Sequence, residues 1–137
     1  LSNQPAENRL GSDALQAYSR GMGAMGLPGD WSSASRFVRA AFVRQNSTCE
    51  KSELASVSQF FHMLEAVSVP KGCMQLEDGQ YQFTAYTSCM NLDRQVYYYK
   101  TNENSRLSAV NMHRFKLDGT ALKCFPLFKT VTIHWQN

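Results

Sequence analysis

The chain has 137 residues, 43% of them hydrophobic and 18% charged, with a formal net charge of +3. That balance is globular and the length suits one small domain, although a fragment of a larger domain would look the same. The mild charge, without a Lys/Arg cluster, speaks against a nucleic-acid surface, and no apolar run approaches the ~18 residues of a membrane span. The four cysteines, Cys49, Cys73, Cys89 and Cys124, form no CxxC pair and no zinc spacing with histidine, so no metal and no cofactor is expected. Reduced thiols in a cytoplasmic protein are the default reading, and a disulfide stays open.

In chain order, residues 1–20 are polar and read as an extended arm or surface loop, with a short helical turn allowed after Ser12-Asp13. Gly21, Gly23, Gly26, Gly29 and Pro28 then make Gly21 to Asp30 a tight, shaped loop. A helix is predicted from Ser32 to Gln45, capped by Asp30 or Ser32. Its apolar face is Trp31, Ala34, Phe37, Val38, Ala41 and Phe42. Arg36 falls nearly opposite that face, toward solvent or a polar site. Arg36, Arg39 and Arg44 taken together read as solvated or locally paired arginines.

A polar break, Asn46 to Ser52, separates a second helix, Leu54 to Val67. Its stripe is Leu54, Val57, Phe60, Phe61, Leu64 and Val67, and Pro70 and Gly72 end it. His62 lies on the other face, as a surface residue rather than a ligand. From Tyr81 the period becomes two. A strand to Cys89 follows the Asp78-Gly79 turn, with Cys89 as a small core residue. Asn91 to Arg94 makes a hairpin link to Val96–Thr101, and a polar turn leads to Leu107–Met112. Three strands with short links predict an antiparallel meander. The rings of Tyr97, Tyr98 and Tyr99 point to both faces, so the middle strand should be covered on both sides. Val131 to Trp135 is predicted as a final edge strand. Helices first and strands after give an α+β class.

Several phrases carry more than periodicity: GMGAMGLPGDWSSASRFVRAAF (Gly21 to Phe42), SVSQFFHMLEAV (Ser56 to Val67), YQFTAYTSCMNL (Tyr81 to Leu92) and VYYYKTNENSRLSAVNM (Val96 to Met112). In this order they resemble the choloylglycine hydrolase family, the bile salt hydrolases and penicillin V acylases of the N-terminal nucleophile (Ntn) class. The resemblance runs over nearly the whole chain. It implies an αββα sandwich, two stacked antiparallel sheets with helices outside. Because such enzymes use an N-terminal cysteine and this sequence begins at Leu1 with its first cysteine at Cys49, the chain resembles the C-terminal portion of a single such domain. The implied partners are the N-terminal half of the same enzyme, conjugated bile salts as substrate, and further copies in a homotetramer, with residues 1–20 contributing to an arm onto a neighbouring subunit.

The implied chemistry is amide hydrolysis through an acyl-thioester: a cysteine thiolate attacks the carbonyl, and fixed donors stabilise the oxyanion. In this chain the resemblance assigns one residue of that network, Arg36 of the Ser35-Arg36-Phe37 motif. A guanidinium favours a nearby thiolate and bonds it directionally. Asn3, in LSNQP, is not assigned, since the spacing to Tyr18 fits the stretch after the catalytic asparagine. No GxSxG elbow supports a serine triad. The Gly21–Asp30 loop either lines a substrate entrance or merely places the helix. The reading favoured is the C-terminal part of a conjugated bile acid hydrolase, inactive alone. The alternatives are a penicillin V acylase-type amidase fragment and a non-catalytic truncated interaction module. The apolar faces of both helices and of the tyrosine-rich strand are expected to need the missing half.

Overall fold

A computed structural model of the chain describes residues 1–5, 8–16 and 19–137. It divides into two compact units, Leu1–Thr48 and Cys49–Asn137. Two helices and two antiparallel sheets make the fold α+β, as the change of period predicts. Among the described residues no helix is long and apolar enough to cross a membrane.

The first unit opens with a small hairpin, β1 (Asn8–Leu10) paired antiparallel with β2 (Asp13–Leu15). The helical turn allowed after Ser12-Asp13 does not form. Gly11 takes φ +61° at the first central position of the two-residue link, which suits a tight hairpin and not a helix start. The strand residues Asp13 to Leu15 are exposed. The Gly-rich stretch holds a single 3₁₀ turn, Met22–Ala24, closed by Ala24 N to Gly21 O at 3.1 Å and Met25 N to Met22 O at 2.9 Å.

Helix α1 spans Ser33–Asn46, one residue later at each end than predicted. Its faces are the surprise. The expected apolar face is open: Phe37 is 73% exposed, and Ala34 and Val38 are exposed too. Ser35 and Arg39 are buried instead, flanked by half-buried Arg36, Phe42, Val43 and Asn46. At about 100° per residue these six share one side of the helix, opposite Phe37. Of the expected apolar face Ala34, Phe37 and Val38 stay open while Trp31, Ala41 and Phe42 are half-buried, so within this unit the covered side overlaps the apolar face only at its edge.

In the second unit, helix α2 covers Glu53–Glu65 and is capped by Ser52, whose Oγ accepts from Ala55 N at 3.1 Å. Val57 and Phe61 are buried, one turn apart, while Leu54 and Phe60 of the predicted stripe are exposed. The chain then runs out and back. Thr84 N donates to Val69 O at 3.0 Å, Gln82 N to Met74 O at 2.9 Å, and the Asp78-Gly79 turn closes the excursion. These bonds correct the predicted strand start. Tyr81 to Thr84 answers Val69 to Gln75, and the ladder strand β3 begins only at Tyr86, running to Asn91.

Strands β4 (Val96–Thr101) and β5 (Ser108–Asn111) complete the meander β3-β4-β5. Register pairs Cys89 with Tyr98 and Tyr98 with Ala109. The central strand is the best covered, with Val96, Tyr99 and Thr101 buried. Beyond β5 the chain has one short 3₁₀ turn, Met112–Arg114, and no further strand; the predicted edge strand Val131–Trp135 does not pair. The tail is held instead by buried Asn104, whose Nδ2 donates to Phe128 O at 3.3 Å and Thr130 O at 3.0 Å.

Candidate active site around Arg36

The segment Leu27 to Arg39 is built locally. Asp30 folds its carboxylate back on the helix start: Ser32 N donates to Oδ1 at 2.9 Å and Ser35 Oγ to Oδ2 at 2.5 Å. Ser32 is the N-cap proper, its Oγ accepting from Ser35 N at 3.2 Å. Both capping candidates are thus used in series. The hydroxyls of Ser32 and Ser35, with the Ser32 amide, hold the Asp30 carboxyl far below its ordinary value. An anion here also meets the positive end of the helix dipole.

Arg36 follows in the first turn of α1 and is half-buried. Its Nε is buried and meets no hydrogen-bond acceptor among the described residues. A guanidinium in this state still has a donor to give, chemistry suited to an anion or a polar reacting group.

Arg39, one turn on, takes the locally paired alternative of the sequence reading rather than the solvated one. It is 8% exposed. Its Nη1 donates to Pro28 O at 2.8 Å and Asp30 O at 2.7 Å, and its guanidinium carbon stands 5.3 Å from the centre of the Trp31 ring. The sequence did carry a signal for this. Ser35 and Arg39 are i, i+4, and a loop with Pro28 lacks one amide donor while keeping every carbonyl to satisfy.

Elsewhere, His62 is exposed and meets Glu65 Oε2 at 3.3 Å, in line with a surface role. Cys89 is half-buried, and burial raises its thiol above the ordinary range; Cys49, Cys73 and Cys124 are exposed and free. Asn3 is exposed and bonds only its neighbour Gln4 among the described residues. The second unit carries a cleft of about 470 Å³ lined by Tyr98, Phe115, Phe125 and Phe128, with Glu53 and Arg94 at its polar edge.

Residues 1–125 match the family described as linear amide C–N hydrolases, choloylglycine hydrolase family. The bile salt hydrolase/transferase of Lactiplantibacillus plantarum is 48% identical over 128 residues, which cover 93% of this chain and 40% of that protein. The bile salt hydrolase/transferase of Clostridium perfringens is 38% identical over 135 residues, covering 98% and 41%. A crystal structure of a conjugated bile acid hydrolase variant from Clostridium perfringens superposes with a TM-score of 0.84 at 39% identity, over 98% of this chain and 41% of that one. The penicillin V acylase from Agrobacterium tumefaciens follows at TM-score 0.57 and 20% identity, over 67% and 29%, a likeness of fold alone. The chain belongs to the choloylglycine hydrolase family of linear amide C–N hydrolases. Its fold is the Ntn-hydrolase fold in the portion it spans, and it spans about 40% of the length of the curated relatives it matches.

Proposed function

We propose that the chain is the C-terminal portion of a single-domain conjugated bile acid hydrolase, one that cleaves the amide of glycine- or taurine-conjugated bile salts. The observation that carries this reading is the 48% identity over 128 residues to a bile salt hydrolase/transferase. Penicillin V acylase is the weaker reading, supported here by fold likeness at 20% identity.

In this proposal the nucleophilic cysteine comes from the rest of the domain, and Arg36 serves it. The half-buried guanidinium with an unspent Nε would favour the thiolate and hold its orientation. The remainder of the domain is the principal partner, and the open apolar side of α1 at Phe37 is one surface that it would cover. A homotetramer, with residues 1–20 as the arm, and a cytoplasmic location complete the proposal.

The test assays two proteins: this chain alone, and the complete polypeptide in which it is joined to the remainder of a family-length domain. Release of glycine or taurine from conjugated bile salts by the complete polypeptide, and not by the chain alone, is expected. Faster cleavage of penicillin V than of any bile salt would favour the second reading. No amide hydrolysis by the complete polypeptide would leave a non-catalytic interaction module.

A further inference from the structure

We infer that Arg39 is a positioning residue, which seats the segment Leu27 to Trp31 against α1 and through it sets the surroundings of Arg36. Three observations converge on it. The side chain is buried on the helix side that also carries Ser35. One nitrogen, Nη1, holds two loop carbonyls at once, those of Pro28 and Asp30. The same guanidinium faces the ring of Trp31 at 5.3 Å. Charge-assisted hydrogen bonds are among the stronger ones in proteins, and an arginine can bond in its plane while stacking across it.

The loop is therefore closed on α1 at two heights. Asp30 reaches forward to Ser32 and Ser35 at the helix start, and Arg39 reaches back from the following turn. Arg36 lies three residues before Arg39, about 60° round the helix, on the flank of the same buried side. With Arg39 removed, Asp30 would lose the bond on its own carbonyl, and its latch on Ser32 and Ser35 would open more often. Pro28 to Trp31 could then lift from α1 beside Arg36. The lysine that a charge-only role would accept is shorter and has no plane to lay on an indole. The seating of the loop stands on this geometry alone; its effect on turnover rests on the proposed role of Arg36.

The test uses the complete polypeptide with Arg39→Met, which keeps an apolar stem, and Arg39→Ala, which leaves room for a small cation. The first readout is amide hydrogen exchange at Leu27 and Ser32, whose N–H groups are bonded to Ala24 O at 3.0 Å and to Asp30 Oδ1 at 2.9 Å. Exchange about tenfold faster or more at both, with the middle of α1 unchanged, is expected in both variants. Unchanged exchange at these two amides overturns the inference. Loss of protection along the whole of α1 also overturns it, since Arg39 would then be a packing residue. The second readout is kinetic: a fall of about tenfold or more in kcat with KM little changed, partly restored in Arg39→Ala by added guanidinium ion. Faster loop exchange with wild-type kcat would break the link to Arg36. A wild-type protein without any hydrolase activity would instead sink the functional reading, while the exchange result would still decide the role of Arg39.

Discussion

The phenol of Tyr98, on the central strand, donates a 3.1 Å hydrogen bond to Oε1 of Glu53 in the first turn of α2. The same oxygen accepts from Asn91 Nδ2 at 2.6 Å, and Oε2 meets Arg94 Nη1 at 3.0 Å. One carboxylate thus ties α2 to both strands of the β3–β4 hairpin. Its arms are unequal. Arg94 is 69% exposed, so that ion pair is worth little, whereas Asn91 and Tyr98 spend partly buried donors on one acceptor. Glu53→Gln, which keeps an oxygen in place, should cost under about 1 kcal/mol, and Glu53→Ala about 2–3 kcal/mol. Denaturant melts of the complete polypeptide would show it. Equal losses in the two variants would mean that charge, not the acceptor, holds the hairpin.

The same contact sets an alkaline limit. Desolvation, and then the bond to Glu53, raise the Tyr98 pKa above its ordinary 10.0. A pKa raised on folding favours the neutral phenol in the folded state. Its contribution is complete below pH 10 and is lost as the pH climbs through the folded value. Phenolate absorbance should show one tyrosine ionising later than the rest, and Tyr98→Phe should remove that late step. If all tyrosines titrate together near their ordinary value, the contact is not formed in solution.

Gly23 should tolerate no side chain. A Cβ there would stand 2.1 Å from Gln4 O and 2.7 Å from Ser2 O, and Ser2 N donates to Gly23 O at 2.7 Å. Backbone on both sides cannot give way as a side-chain end can. Gly23→Ala should expel residues 2–4 from the loop at a cost of about 1–3 kcal/mol. Gly29→Ala, with nothing within 4 Å, is the control and should be mild. Proteolysis of the N-terminal segment reports the difference. A Gly23→Ala protein as resistant as wild type would refute the close approach.

Arg36→Lys should fold and turn over poorly, by about 10²–10³-fold in kcat, if its guanidinium acts on the reacting group. Arg44, exposed in the last turn of α1, is the proper control, since Arg39 is buried against the loop. Rates are compared at equal folded fraction. Wild-type turnover in Arg36→Lys would remove Arg36 from the catalytic network.

The 137-residue chain by itself should behave as a loosely packed protein. Among the described residues the buried apolar ones are Val57, Phe61, Val69, Val96 and Tyr99, and no side chain of these residues is fully buried, too little core for a firm fold of this size. Strong binding of a hydrophobic dye and a broad thermal transition are expected. A sharp cooperative melt from a monomer would show an autonomous domain.

Much of this architecture was legible from residue pattern. Strand Val96–Thr101 falls where the three tyrosines put it, and α1 begins where Asp30 and Ser32 can cap it. What failed has physical causes. Alternation over Tyr81 to Thr84 shows extended chain, but not which segment answers it, and Val69 to Gln75 does so first. The apolar run Val131 to Trp135 has strand propensity without a ladder partner. Arg39 was left between solvent and a local partner because a hydrophobic pattern has no means to register two backbone carbonyls and an indole face, which together make a buried cation acceptable.

The two latches on α1 have a bearing on the order of events during folding. Ser32 and Ser35, which bond Asp30, and the Pro28 and Asp30 carbonyls, which bond Arg39, lie within eleven residues of them along the chain. Loops that short close in tens of nanoseconds, long before distant strands find each other. Arg36 can therefore take its station from local sequence alone, while the outward side of its helix stays available for docking. The catalytic candidate would then be in place before the rest of the domain arrives, and late assembly would not have to correct it.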